Sequence, residues 1–337
     1  MIGSSVKWKG QWNGLLGKWT DSNAYPVSPG RIPGLQADYN IFNTSGLIYD
    51  GSNRVQLVSD SSGNSADNCL ALNGVAGNYA SRADAAAVSV TGDIDLRVYA
   101  ALNDWTPSAR QCFIGKWRGA TNDRGYLVEI TTAGAISLAV STLGTAAIIY
   151  TSTANPTVSD YGILGIRVTR VASSGDVEFY TSTNFATWTK LGATVSGTSG
   201  NIFDSTQPVE IGSFEVNTIG FVSGRIYRAQ IYNGINGTLV FDANFSTAAK
   251  LAASFTESSS NAATVTVNTT GQFGARICGA RDLVNMTAAN QPVLTAGAVP
   301  IITFDGSDDT LKAASFSLSQ PTTVYFLGSQ VTWTLNE

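Results

Sequence analysis

The chain has 337 residues and a formal net charge of −4; it is 43% hydrophobic, 13% charged and contains no histidine. Charge at about half the usual ~25% leaves neutral hydroxyls and amides to supply polarity, which suits a β-rich extracellular or virion-surface protein and excludes a disordered chain. The acidic balance, with Lys7 and Lys9 the nearest approach to a basic cluster, argues against nucleic acid, and the missing histidine removes Ser-His-Asp and Cys-His catalysis and histidine-ligated metals.

Three cysteines, Cys69, Cys112 and Cys278, are far apart and form no C-x-x-C pair, so buried thiols are expected rather than a zinc site or a disulfide framework. The most apolar run, Ala135–Tyr150, is interrupted by Ser137, Ser141, Thr142, Gly144 and Thr145 and is too short to insert in a membrane. No apolar signal segment follows the first basic residues. A surface-type composition without an export signal leads to the expectation of a virion component, assembled in a host cytoplasm.

Residues 1–40 read as a separate N-terminal arm carrying Trp8, Trp12 and Trp19. It either packs on its own domain or docks the protein on a larger assembly, because tryptophan is favoured at interface hot spots. Residues 41–275 show strand-like runs at sandwich spacing, near 92–102, 111–117, 125–131, 135–140, 146–151, 161–171, 175–181, 186–191, 207–213, 221–233 and 238–244. Turn signals at Ala133-Gly134, Ser173-Ser174-Gly175, Asn233-Gly234 and Asn236-Gly237 separate several of them. In the run 221–233, strict alternation would send Ile226, Arg228, Gln230 and Tyr232 to one face and Tyr227, Ala229 and Ile231 to the other. Thr247–Ala253 is the best short helical candidate. The fold class is all-β.

An internal repeat suggests a third segment, 276–337. Leu72-Asn73-Gly74 followed by the strand Thr91–Leu102 is echoed by Phe304-Asp305-Gly306 followed by Pro321–Leu327. About sixty residues cannot close a sandwich that takes about 100, so this segment is expected to be a partial second module.

Several motifs, in order, resemble the concanavalin A-like, laminin G-type jelly-roll family, as carried by phage fibre and other virion proteins. They are Leu72-Asn73-Gly74, the strand Thr91–Val98, Ile114-Gly115-Lys116-Trp117 with Tyr126–Ile130, and Glu210-Ile211-Gly212-Ser213 with Gly224–Asn233. The resemblance implies a jelly-roll β-sandwich. It leaves function open among lectins, adhesins, hydrolase accessory modules and fibres.

Glycosidases on such sandwiches space carboxylates as E-x-D-x-E along one strand. The nearest approach is Asp93-Ile94-Asp95-Leu96-Arg97, where an arginine holds the third position, so no catalytic residue is assigned. No cofactor is implied. Asp60, Asn64 and Asp67, with Asn68, could offer oxygens to calcium or simply form Asx turns.

Glycan binding calls for exposed rings beside amides and charges. Trp105, Trp117 and Tyr126, with Asn122, Asp123 and Arg124 in the loop between the last two, are the candidates, core packing being the alternative for each ring; Trp117 and Tyr126 flank that loop and are expected near one rim. Trp188, in Ser182-Thr183-Asn184-Phe185-Ala186-Thr187-Trp188, resembles an S-x-D-G-x-T-W hairpin and reads as structural. The expectation is a non-enzymatic virion structural protein, a fibre or capsid-decoration component, partnered by other virion proteins and host-surface glycans and forming a homo-oligomer. A bacterial surface adhesin or carbohydrate-binding module is the alternative, with a glycosidase behind it.

Overall fold

A computed structural model describes residues 68–270 and 274–279 continuously, together with Ser52 and short strands on either side. Upstream lie β1 (Gly10–Asn13), β2 (Lys18–Asp21), β3 (Leu47–Tyr49) and β4 (Val55–Val58). The continuous part begins with β5 (Asn68–Asn73), β6 (Tyr79–Arg82), β7 (Ile94–Leu102), β8 (Gln111–Arg118), β9 (Asp123–Ile130), β10 (Ile136–Val140) and β11 (Ile148–Thr151). Next come β12 (Ile163–Arg170), β13 (Val177–Ser182), β14 (Thr189–Lys190), β15 (Val209–Ile211), β16 (Ser223–Asn233) and β17 (Thr238–Asn244). β18 (Ser254–Thr256), β19 (Thr264–Asn268) and β20 (Arg276–Gly279) complete it. β21 (Leu283–Val284), β22 (Val293–Thr295) and β23 (Ile301–Thr303) follow.

Two antiparallel sheets make a jelly-roll β-sandwich. The front sheet has the order β14-β13-β12-β7-β16-β5-β20, with β17 also on β16; the back sheet runs β11-β10-β9-β8-β15-β6-β19-β18. The reason is period-two patterning. On β7, Ile94, Leu96, Val98, Ala100 and Leu102 enter the core, where they meet Tyr126, Val128, Ile130, Ile136, Leu138 and Val140 of β9 and β10. Each fully buried aliphatic side chain contributes about 1.5–3 kcal/mol. All eleven expected strand regions carry strands, with ends within three residues of the expected ones.

Three expectations are corrected. First, Thr247–Ala253 is not helical: the chain forms a three-residue 3-10 turn at Phe245–Thr247, where Asn244 accepts from the Ser246 amide, and then passes through a bend at Ala248 and a turn at 250–251 in which Leu251 is left-handed at φ +62. The buried Phe245 anchors the turn, and nothing along the following residues repeats at a helical period.

Second, the alternation of β16 breaks at Tyr227. Ile226 stands opposite Ala100 but Arg228 opposite Tyr99, so Tyr227 is the extra residue of a β-bulge. Ile226 therefore joins Ala229 and Ile231 in the core, while Tyr227 moves to the outer cluster with Cys69, Ala71, Ala101 and Cys278.

Third, residues 276–279 belong to the front sheet rather than opening a separate module: β20 pairs with β5 in the register Arg276↔Ala71 to Gly279↔Asn68. Without it that side of β5 would be a bare sheet edge. β21 likewise pairs with β4, which also pairs with β3. Phe304-Asp305-Gly306 and Pro321–Leu327 lie outside the described residues.

Candidate functional site

The outer face of the front sheet gathers the polar and aromatic residues. β7 alternates so that Asp95, Arg97 and Tyr99 leave the core. Strand register then sets one row across the sheet: Lys190 beside Tyr180, then Arg167, Arg97, Gln230 and Asp242. Arg167 and Arg97 are directly opposite, which repels unless neutralised.

Asp95, wholly buried, supplies the neutralisation. It accepts from Arg97 Nε at 3.0 Å and Nη2 at 2.7 Å, and from Arg167 Nε at 3.0 Å and Nη2 at 2.9 Å. Such two-point guanidinium–carboxylate pairs are strong and geometrically specific. Asn236, from the β16–β17 turn, accepts from both Nη2 atoms at 2.7 and 3.0 Å, and its amide donates to Asp95 at 3.1 Å. Burial by itself would raise the Asp95 carboxyl. The hydrogen bonds from Arg97 and Arg167 and the Arg97 charge outweigh that and hold it below the usual range. An acid clamped this way stays ionised and is a poor proton donor near neutrality. Asp93, its sequence neighbour, accepts from the Ala172 amide at 2.7 Å.

An aromatic wall borders this network. Trp188 meets Phe185 edge-on at 5.4 Å between centroids, Phe185 lies 5.3 Å from Tyr99, and Tyr99 lies 5.6 Å from Tyr227. The Arg97 guanidinium sits 4.2 Å from the Tyr232 ring centre and 5.8 Å from that of Trp188; Arg167 covers Tyr180 at 5.0 Å. At one border, Lys190, Tyr180 and Thr194 hydrogen-bond Glu178 and hold its carboxyl down at about 2. Trp188, Phe185, Tyr180 and Tyr232 are half-buried.

Phe185 has φ +58, a left-handed conformation that costs a side-chain-bearing residue about 1–2 kcal/mol. It occupies the position where the resembling hairpin has glycine. Gly165 makes room for it: a Cβ there would lie 3.1 Å from Ser182 Cβ and 3.2 Å from Phe185 Cδ2. Gly165→Val is therefore expected to lower stability by about 1–3 kcal/mol through overpacking and to shift the tryptophan fluorescence. A variant with unchanged urea midpoint and emission would show that the hairpin does not rest on β12.

The residues expected to bind glycan are placed differently. Trp105 is buried, with its indole N–H donating to the Gly162 carbonyl at 3.2 Å. Tyr126 is buried in the sandwich core and donates to the Val88 carbonyl at 3.0 Å. Trp117 lies on the opposite side of the back sheet, buried with Cys112, Leu127, Ala139 and Phe214. The two rings do not share a rim, because residue alternation across the β8–β9 pair, with its bulges, sends them to opposite faces.

Asn122, Asp123 and Arg124 hold the loop together. Arg124 donates to Asn122 and to the Gly144 and Thr145 carbonyls at 3.2, 3.2 and 2.7 Å. Asp123 accepts from the Thr206 amide and hydroxyl and from Gln207 at 3.0, 2.7 and 2.6 Å.

Asp60, Asn64, Asp67 and Trp8 lie outside the described residues; Trp12 and Trp19 stand opposite one another in the β1–β2 pair. Among the described residues no group of three or more metal-ligating side chains is assembled. The sequence reads Trp188 as structural and Tyr232 as one face of a strand, and it assigns neither Phe185 nor Arg167 a place in a site. The one available signal was the departure of Asn184-Phe185 from the Asp-Gly of the hairpin motif.

No family model and no curated protein matches the sequence. Among solved structures the chain is similar to a candidate carbohydrate-binding protein from Bacteroides ovatus, at 10% identity over 63% of this chain and 60% of that one, with a TM-score of 0.45. It is similar to the CBM40 of Ruminococcus gnavus IT-sialidase bound to α2,3-sialyllactose, at 14% identity over 48% of this chain and 91% of that one, with a TM-score of 0.37. A native heptameric SAP-like pentraxin from Limulus polyphemus is similar at 10% identity, over 50% and 76% of the two chains, with a TM-score of 0.37.

Proposed function

We propose that this chain is a non-enzymatic virion structural protein, a fibre or capsid-decoration component, that holds host-surface glycans on the outer face of its front sheet. Its low charge, its abundance of neutral polar residues and its resemblance to fibre-borne jelly rolls support the virion reading. The observation that carries glycan binding is Phe185. A bulky ring held at φ +58, where glycine would be unstrained, is a backbone outlier of the sort that collects at functional sites.

With Trp188 it offers a partly exposed apolar ledge beside the guanidinium of Arg97, the amide of Asn236 and the hydroxyls of Tyr180 and Tyr232. Sugar C–H faces stack on such rings while hydroxyls take the polar partners. Single sites of this kind bind weakly, and homo-oligomeric display multiplies them.

Glycan arrays should show binding that weakens at least about tenfold, roughly 1.4 kcal/mol, in Phe185→Gly and Trp188→Ala. Phe185→Gly removes the backbone strain, so it should fold as well as the parent. Unaltered binding by Phe185→Gly, or an array without any bound glycan, defeats the reading. Mass spectrometry of purified particles tests the virion assignment, which fails where the chain is found only in host fractions.

A further inference from the structure

We propose that Cys69 and Cys278 are a dithiol–disulfide pair, a modification site that on oxidation staples the last strand of the front sheet to its first. The two residues are exact register partners across the antiparallel β5–β20 pair. Partners in such a ladder have Cα atoms about 4.5 or 5.5 Å apart, depending on the type of pair, and both spacings fall inside the roughly 4.4–6.8 Å range of disulfides. The sulfurs stand 3.9 Å apart, and Cys69 Sγ also lies 3.5 Å from the Cys278 carbonyl oxygen. Closing to a bond of about 2.05 Å takes side-chain rotation and leaves the ladder in place.

Both sulfurs are buried on the outer face with Ala71, Ala101 and Tyr227, whereas Cys112 lies in a separate cluster on the back sheet. That placement separates the pair from the third thiol. Arg225 and Arg276 occupy the strands on either side of Ala71 in one register row, and the Arg225 side chain hydrogen-bonds Cys278 and interacts electrostatically with Cys69 as well. A neighbouring cation favours thiolate, the form that attacks. β20 is the outermost strand of the front sheet in this order, so local opening there exposes Cys278 first.

The oxidant is a low-molecular-weight disulfide such as glutathione disulfide. Cys278 thiolate attacks one of its sulfurs, forms a mixed disulfide and displaces one glutathione thiolate. Cys69 thiolate then attacks Cys278 Sγ, forming the Cys69–Cys278 bond and releasing the second glutathione. The two protein thiols lose two electrons and two protons, and the glutathione disulfide gains both to become two glutathione thiols.

The full chain is equilibrated in buffers graded from reduced to oxidised glutathione, alkylated after denaturation, digested and mapped by mass spectrometry. A Cys69–Cys278 cross-linked peptide should accumulate while Cys112 remains alkylated. Because the bond closes a loop far longer than 100 residues, oxidation should raise Tm by at least about 5 °C. That rise should vanish in both Cys69→Ser and Cys278→Ser and persist in Cys112→Ser. Three alkylated cysteines in the most oxidising buffer, equal cross-linking to Cys112, or a cross-link without any Tm rise each overturn the proposal.

Discussion

Asp95→Ala is expected to lower the unfolding free energy by about 3–5 kcal/mol, because it leaves Arg97 and Arg167 side by side and largely buried without their shared carboxylate. Breaking a buried ion pair from one side costs far more than replacing all its members. The triple variant Asp95→Leu/Arg97→Met/Arg167→Met should therefore recover most of the loss. Urea titration measures both; a single variant within about 1 kcal/mol of the parent would mean that solvent already screens the cluster.

The same carboxylate gives stability a pH dependence of definite sign. Its folded pKa lies below the unfolded value of about 3.9, so the folded state holds fewer protons in that window. The contribution is complete above the unfolded pKa and is lost as pH falls through the folded one. In Asp95→Asn the acid limb of the stability curve should be shallower than in the parent.

Glu257→Ala should cost about 3 kcal/mol. Its buried carboxylate accepts from the Asp242 amide at 2.9 Å, the Ser259 amide and hydroxyl at 2.6 and 2.7 Å, and the Ala263 amide at 3.2 Å. A hydrogen bond to a charged group is worth about 1.5–3 kcal/mol, and alanine would leave buried backbone donors without acceptors. The connection to the site is direct. Asp242, whose amide Glu257 braces, receives Arg228 Nε and Nη2 at 2.7 and 2.6 Å on the outer face of the front sheet. Glu257→Gln, which keeps the shape and one acceptor oxygen, should lose about half as much. Hydrogen exchange at the Asp242 amide should accelerate in both variants, and an unchanged rate would place the stabilisation elsewhere.

Strands were legible wherever one side of the chain had to be apolar. The alternation of Ile94, Leu96 and Val98 with Asp95, Arg97 and Tyr99 is a local pattern and survives intact in β7. The site was less legible, since its members are distant in sequence. Arg97, Arg167 and Asn236 meet only because β7 sits between β12 and β16. Trp117 and Tyr126 looked like one rim because nearness in sequence hides the face each ring takes. Trp105 looked available because ring type says nothing about burial, and each of the three was needed to fill space.

By itself, then, the amino-acid order determined an all-β chain of two-faced strands with little charge and no histidine chemistry, because period-two hydrophobicity and composition are local properties. Only the tertiary structure decided which residues meet. A single extra residue at Tyr227 inverts the faces of β16 around it, and partners such as Cys69 and Cys278 are chosen by long-range register. Both follow from pairing between strands, which a slip of one residue reverses.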